Sequence, residues 1–173
     1  MRIIRIIFIL SFLWFQSFEK VFSQASIAQA QAVFIYNFTR LIEWPAEYKS
    51  GPFTIGILGS SDLYDEIKNY TNGKMVGSQP INAVKYNAIE FIGKCHILFV
   101  PFNRTKDMDA IKNKIGNNST LIITEKKGAL ENGSMINFVI IEDRLKFELK
   151  ISNASKIGLK IHSNLENMAV AKY

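Results

Sequence analysis

Three uninterrupted runs of apolar and β-branched residues constrain this chain most: Phe53-Thr54-Ile55-Gly56-Ile57-Leu58, Cys95-His96-Ile97-Leu98-Phe99-Val100 and Thr120-Leu121-Ile122-Ile123-Thr124. A strand with one wet face alternates apolar and polar residues. A strand without that alternation is buried on both faces, the environment of a parallel sheet covered by helices. Segments of helical period lie between the runs. Leu63, Ile67 and Tyr70 form one short amphipathic helix, closed at Asn72-Gly73. Met108, Ile111 and Ile115 share one face of a helix from Arg104 to Ile115, stopped by Gly116. Pro80 to Val84 reads as a further short strand.

The pattern changes towards both ends. Ser134 to Ile141 and Arg144 to Ile151 read as strands joined by Glu142-Asp143, a two-residue hairpin signal. In the second strand Leu145, Phe147, Leu149 and Ile151 face one way and Lys146, Glu148 and Lys150 the other, so one side is wet. Ser152-Asn153 caps a short helix ending at Gly158. Leu159 to His162 is extended, and Asn164 to Ala171 reads as a last helix. Upstream, Ala25 to Ile42 reads as a long helix, apolar on more than one face. Trp44-Pro45 ends it, because a residue before proline is pushed out of the helical region. The expected architecture is a three-layer α/β domain. Its sheet is mostly parallel, has about six strands and a C-terminal antiparallel hairpin, and carries helices on both faces.

The first residues point to export. Arg2 and Arg5 precede the apolar run Ile6 to Phe15, and small residues follow at Ser23, Ala25 and Ser26. Charged, apolar, then small is the order of a secretory signal peptide. Cleavage is expected after Ser23 or after Ala25, which makes residues 1–23 the signal peptide and 24–173 a single exported domain. A membrane-spanning helix needs about 20 apolar residues. Gln16, Ser17, Glu19 and Lys20 interrupt this run well short of that. The net charge of +6 is scattered along the chain, without the dense basic stripe that nucleic acid requires. Cys95 is the only cysteine, so no internal disulfide forms, and its reading is a small buried hydrophobe on a strand.

Few residues suit catalysis. His96 and His162 are the two histidines, far apart in sequence, and no metal-ligand spacing, nucleophile elbow or cofactor motif accompanies them. The expectation is therefore no catalytic residue, no metal and no cofactor. The turn Gly56 to Ser61 follows a strand and opens a helix, where backbone N–H groups can meet an anion. It lacks the third glycine of a dinucleotide fingerprint, and a plain tight turn explains it. His96, inside an apolar run, reads as a hydrogen-bonded core or edge histidine. Lys160 and His162 alternate with Leu159 and Ile161, so both polar tips project to one side. They either hold a carboxylate or phosphate together or face solvent. An enzyme would need the Gly59–Asp62 turn, Lys160 and His162 to converge in one cleft.

The mature length resembles the YfiR family. The segments that carry the resemblance run from Ala32 to Pro45 (Ala-Val-Phe-Ile-Tyr-Asn-Phe-Thr-Arg-Leu-Ile-Glu-Trp-Pro), Phe53 to Gly59, Cys95 to Val100, Gly133 to Phe138, Arg144 to Leu149, and Gly158 to Ser163. The resemblance implies a six-stranded sheet with flanking helices, a homodimer in the periplasm and no enzymatic activity. It also implies a role: binding the periplasmic domain of a membrane signalling protein, a diguanylate cyclase, and so restraining cyclic di-GMP synthesis and biofilm growth. A small anionic or aromatic ligand is implied, in a pocket lined by the segment before Trp44-Pro45 and by Lys160-Ile161-His162. The expected ligand-binding residues are Arg40, Glu43, Trp44, Lys160 and His162. Glu43 stands where a basic residue would suit an anion better, and Arg40, one helical turn back, would supply the cation. The alternative role is a small-molecule-binding accessory subunit of a histidine kinase or transport system.

Overall fold

A computed structural model describes residues 27–59 and 62–173. The expected signal peptide, both expected cleavage positions, and Ser60 and Ser61 of the glycine turn lie outside the described residues. Helix α1 spans 27–41. It is followed by β1 (Ile42–Glu43), β2 (Phe53–Leu58), α2 (Leu63–Thr71), β3 (Met75–Val76) and β4 (Gln79–Tyr86). Then come β5 (Ile97–Val100), α3 (Met108–Ile115), β6 (Leu121–Thr124), β7 (Ile136–Ile141) and β8 (Arg144–Leu149). The chain continues through α4 (Ile151–Lys156), β9 (Lys160–Ile161), α5 (Ser163–Met168) and β10 (Ala171–Lys172).

The three apolar runs lie side by side in the middle of an eight-stranded sheet of order β10-β8-β7-β6-β5-β2-β4-β3. Strands β4, β2, β5, β6 and β7 are mutually parallel, and β7–β8 is the antiparallel hairpin. The chain leaves β2 through α2 for β4 on one side, then returns to β5 and continues through α3 to β6 on the other. Right-handed crossovers in opposite directions put their helices on opposite faces. Accordingly, Leu63 and Ile67 of α2 pack with Ile55, Ile57, Ile97, Phe99, Leu121 and Ile123. Met108, Ile111 and Ile115 of α3 pack with Leu58, Leu98, Val100 and Ile122 on the reverse. Alternate residues of one strand therefore serve two cores, which is why the runs lack a regular apolar–polar alternation.

Helix α1 covers the hairpin on the same face as α2. Phe38 meets Phe147 edge-on at 5.1 Å and Phe34 meets Phe138 at 6.0 Å. At the hairpin tip Glu142 and Asp143 both hold positive φ, 51° and 56°, as a two-residue primed turn requires. Two of the eight strands go beyond the expected six. Both β3 and β10 are two-residue pieces on the sheet's edges. The last helix stops at Met168 instead of running to Ala171. Val170 and Tyr173 donate their N–H groups to Phe147 and Leu149 of β8, whose outer edge would otherwise stay unpaired. That pairing overrides the local helical preference.

Candidate functional site

The end of α1 builds the site. Ile42 and Glu43 leave the helix as an extended pair and form a ladder with β9, Ile42 opposite Ile161 and Glu43 opposite Lys160. The His162 N–H continues it to the Leu41 carbonyl at 2.9 Å. Trp44, extended before Pro45, turns inward and is 5% exposed. Its ring stands edge-on to Phe53 at 5.0 Å, and its Nε1–H donates to the His96 carbonyl at 3.2 Å. A 3-10 turn over Ala46–Tyr48 then folds the chain back, bringing Lys49 Nζ to 3.2 Å from Glu43 Oε1.

His96 ties these pieces to the sheet. Its Nδ1 accepts the Thr54 N–H at 3.1 Å, so the proton sits on Nε2, which donates to the Tyr48 carbonyl at 2.8 Å. The ring stacks on Phe53 at 4.0 Å. Burial, the larger influence, holds its pKa below the ordinary value, so the imidazole is neutral. This is the hydrogen-bonded histidine expected from the sequence. Gln79, buried at the start of β4, donates from Nε2 to the carbonyls of Tyr48 (2.9 Å) and Gly51 (3.0 Å), fixing the β3–β4 turn against the same loop.

Between these elements lies a cleft of about 290 Å³, lined by Thr39, Ile42, Glu43, Trp44, Lys49, Phe53, Val76, Gly77, Ser78, Gln79 and His96. One wall is aromatic. The lip carries charge: the Lys49 hydrogen bond, followed by the Lys160 charge, holds the exposed Glu43 carboxyl below the usual range. The cleft sits at the amino ends of β2, β4 and β5.

Of the expected ligand residues, Glu43 and Trp44 line this cleft. Lys160 lies outside the lining and reaches it through Glu43 alone, with Nζ 3.9 Å from Oε2. His162 caps α5, its Nδ1 accepting the Asn164 N–H at 3.3 Å. Arg40 is exposed near the end of α1 and takes no part in the lining. Helical spacing would set it beside Glu43, but the helix ends at residue 41 and the extended β1 breaks that shared face. The cation in the cleft is Lys49. Lys49, Gln79 and His96 come from segments with no local signal linking them to Trp44.

The convergence an enzyme would require is not formed by the described residues. Gly59 follows the carboxyl end of β2, whereas Lys160 reaches Glu43, whose neighbour Trp44 packs on Phe53 at the amino end. Six residues of strand separate those ends, about 20 Å. Among the described residues no group of three or more His, Cys, Asp or Glu is arranged to hold a metal ion. Cys95 is buried, and burial pushes its thiol up to about 12.

Fold and cleft together describe an open α/β domain with a cleft at the amino edge of its sheet. Residues 28–170 match the YfiR/HmsC-like family, and the chain belongs to it. No curated protein matches it. Among solved structures it is similar to a conserved domain protein from Vibrio cholerae O1 biovar eltor, at 9% identity and TM-score 0.52, covering 70% of this chain and 55% of that one. It is also similar to the ABC domain in complex with L-Trp from Streptococcus pneumonia, at 15% identity and TM-score 0.58, covering 84% of this chain and 60% of that one. At these identities the likeness carries the fold alone. The chain spans 55% and 60% of the lengths of those two solved chains. Among the described residues, no helix is long and apolar enough to cross a membrane.

Proposed function

We propose that this protein is exported through a leader cleaved after Ser23 or Ala25 and acts in the periplasm as a non-enzymatic regulator. It works as a homodimer that binds the periplasmic domain of a membrane diguanylate cyclase and restrains it. Family membership over residues 28–170 is the observation that carries this reading. A small aromatic or anionic ligand in the cleft tunes the restraint. Trp44, Phe53 and His96 supply the aromatic wall, and Lys49 meets an anionic group by exchanging Glu43 for it. Arg40, Lys160 and His162 stand outside that lining, and Lys160 acts through Glu43.

Deleting the gene should raise cellular cyclic di-GMP, and returning it on a plasmid should restore the level. No change in a cell that encodes a cyclase partner defeats the reading. A ligand from a thermal-shift screen of amino acids, nucleotides and anions raises the melting temperature by binding the folded state alone. Lys49→Ala should weaken any such ligand, and unchanged affinity removes the cleft from the proposal. Neighbouring genes for a histidine kinase or transporter, with none for a cyclase, would favour the accessory-subunit role.

A further inference from the structure

Lysines scattered along the sequence gather on one side of the fold. Lys106, Lys126 and Lys127 border a depression beside the start of α3. Lys112 and Lys156 border another at the far end of the same helix. The stem of Lys112 lies over Gly133, where a Cβ would stand 2.8 Å from its Cδ, and its Nζ pairs with Asp109 at 2.8 Å, which links the two depressions. The wet side of β8 extends this surface. Leu145, Phe147 and Leu149 point into the core under α1 and α2, so Arg144, Lys146 and Glu148 look out on the α3 side. Lys150 follows them, its Nζ 2.6 Å from Glu131 on the 3-10 turn Ala129–Asn132.

Eight cations and three carboxylates thus share one side, a net charge of +5. Residues 27–173 carry 18 Lys and Arg and 14 Asp and Glu in all, so the rest of the domain, including Glu142 and Asp143 at the hairpin tip, is left at −1. Of the eight cations, the ion pairs formed among the described residues use Lys112 and Lys150 alone. A domain polarised in this way turns one side towards a negative surface. Phe102 decides which kind. Its ring is 60% exposed beside these lysines, with Lys126 Nζ 5.4 Å from the centroid. The carboxylate next to it, Glu125, is held by Gln31 of α1 at 2.9 Å and by the Phe102 N–H at 3.0 Å. A soluble polyanion offers an exposed ring nothing apolar. A bilayer takes lysines at its headgroups and an aromatic ring at the boundary beneath them.

We infer that this side of the domain, formed by α3, the 3-10 turn Ala129–Asn132 and the outer face of β8, docks on an anionic lipid bilayer. The inference rests on the export proposed above, which sets the domain beside the outer leaflet of the cytoplasmic membrane. The test is flotation of the protein recovered from the periplasm with vesicles of equal parts phosphatidylglycerol and phosphatidylcholine. The protein should float with them, be released by about 0.5 M salt, and ignore phosphatidylcholine alone. The triple variant Lys106→Gln, Lys127→Gln, Lys156→Gln should bind about tenfold more weakly. The triple variant Arg40→Gln, Lys68→Gln, Lys85→Gln loses the same charge from other surfaces and should stay within about threefold of the unaltered protein. If a triple variant fails to fold, Lys127→Gln and Lys156→Gln compared singly with Lys68→Gln and Lys85→Gln should give the same order. Phe102→Ser should cost about fivefold on vesicles and leave binding to polyaspartate unchanged. The assay contains no cyclase, so it reads this inference alone, while cyclic di-GMP in the deletion strain reads the earlier proposal alone. The inference is overturned if the mixed vesicles are not bound or if the two triple variants lose equally. Polyaspartate held as tightly as the vesicles, with Phe102→Ser without effect on either, also overturns it and assigns the face to an acidic protein.

Discussion

Replacing His96 tests how the Trp44 cleft is anchored, because the two ring nitrogens do separate jobs. Nδ1 is the partner of the Thr54 N–H. Nε2 serves the Tyr48 carbonyl, which also receives Gln79 Nε2 at 2.9 Å and so keeps one donor without the histidine. The ring is 5% exposed, between Phe53 at 4.0 Å and Tyr48 at 5.2 Å. His96→Ala orphans the Thr54 N–H, at about 1–3 kcal/mol, and opens a void, for a total of about 3–5 kcal/mol. In Asn the side-chain oxygen falls near the Nδ1 position and keeps the Thr54 bond, so His96→Asn should cost about 1–2 kcal/mol. In Gln the amide reaches the Nε2 position and leaves Thr54 unpaired, so His96→Gln should fall between the other two. Urea unfolding followed by tryptophan fluorescence reads this order, since the chain cut after Ser23 keeps Trp44 alone. The native protein should also lose stability in acid. Burial lowers the folded pKa from the ordinary 6.5, so this contribution is complete above 6.5 and is lost as pH falls towards the folded value. His96→Asn lacks that loss, and its deficit should shrink in acid. A Gln variant more stable than Asn, or an Ala cost under about 1 kcal/mol, would refute the division of roles.

Three further outcomes follow from the surroundings of Cys95 and of the hairpin turn. The Cys95 thiol should resist iodoacetamide at pH 8 in the native protein and react once unfolded, since its pKa stands at about 12. Between the ordinary 9.0 and that value the unfolded chain gives up its proton first, so stability should fall by about 1.4 kcal/mol per pH unit, read by denaturant titration. Replacing Glu142-Asp143 by Asn-Gly puts residues tolerant of positive φ at both turn positions and should add about 1 kcal/mol, read as a raised melting temperature. An unchanged or lowered midpoint would count against a strained turn.

The central sheet was legible because burial on both faces leaves a direct mark, the missing polar alternation in Phe53–Leu58 and Leu121–Thr124. The hairpin was legible for the opposite reason, since Leu145, Phe147 and Leu149 alternate with Lys146 and Glu148. The short strands were not legible as strands. Ile42–Glu43 and Ala171–Lys172 are too brief to hold a period, and they are extended because a distant segment offers them partners. Helical spacing sets Arg40 on the face of Glu43, the extended β1 breaks that face, and no periodicity marks Lys49, which the 3-10 turn returns to the cleft. Trp44 was legible because Trp-Pro marks a helix end and carries the family resemblance. Its contacts with His96 and Phe53 arise from the fold and leave no spacing to read.

The ladder between β1 and β9 joins segments far apart in sequence, Ile42 with Ile161 and Glu43 with Lys160, through just two residue pairs. Closing so long a loop for so short a ladder returns little, so this strap should open while the central sheet stays intact. Amide exchange would then be fastest at the rim of the Trp44 cleft and slowest in β2 and β5. On that expectation the entrance to the cleft would loosen before the floor beneath it.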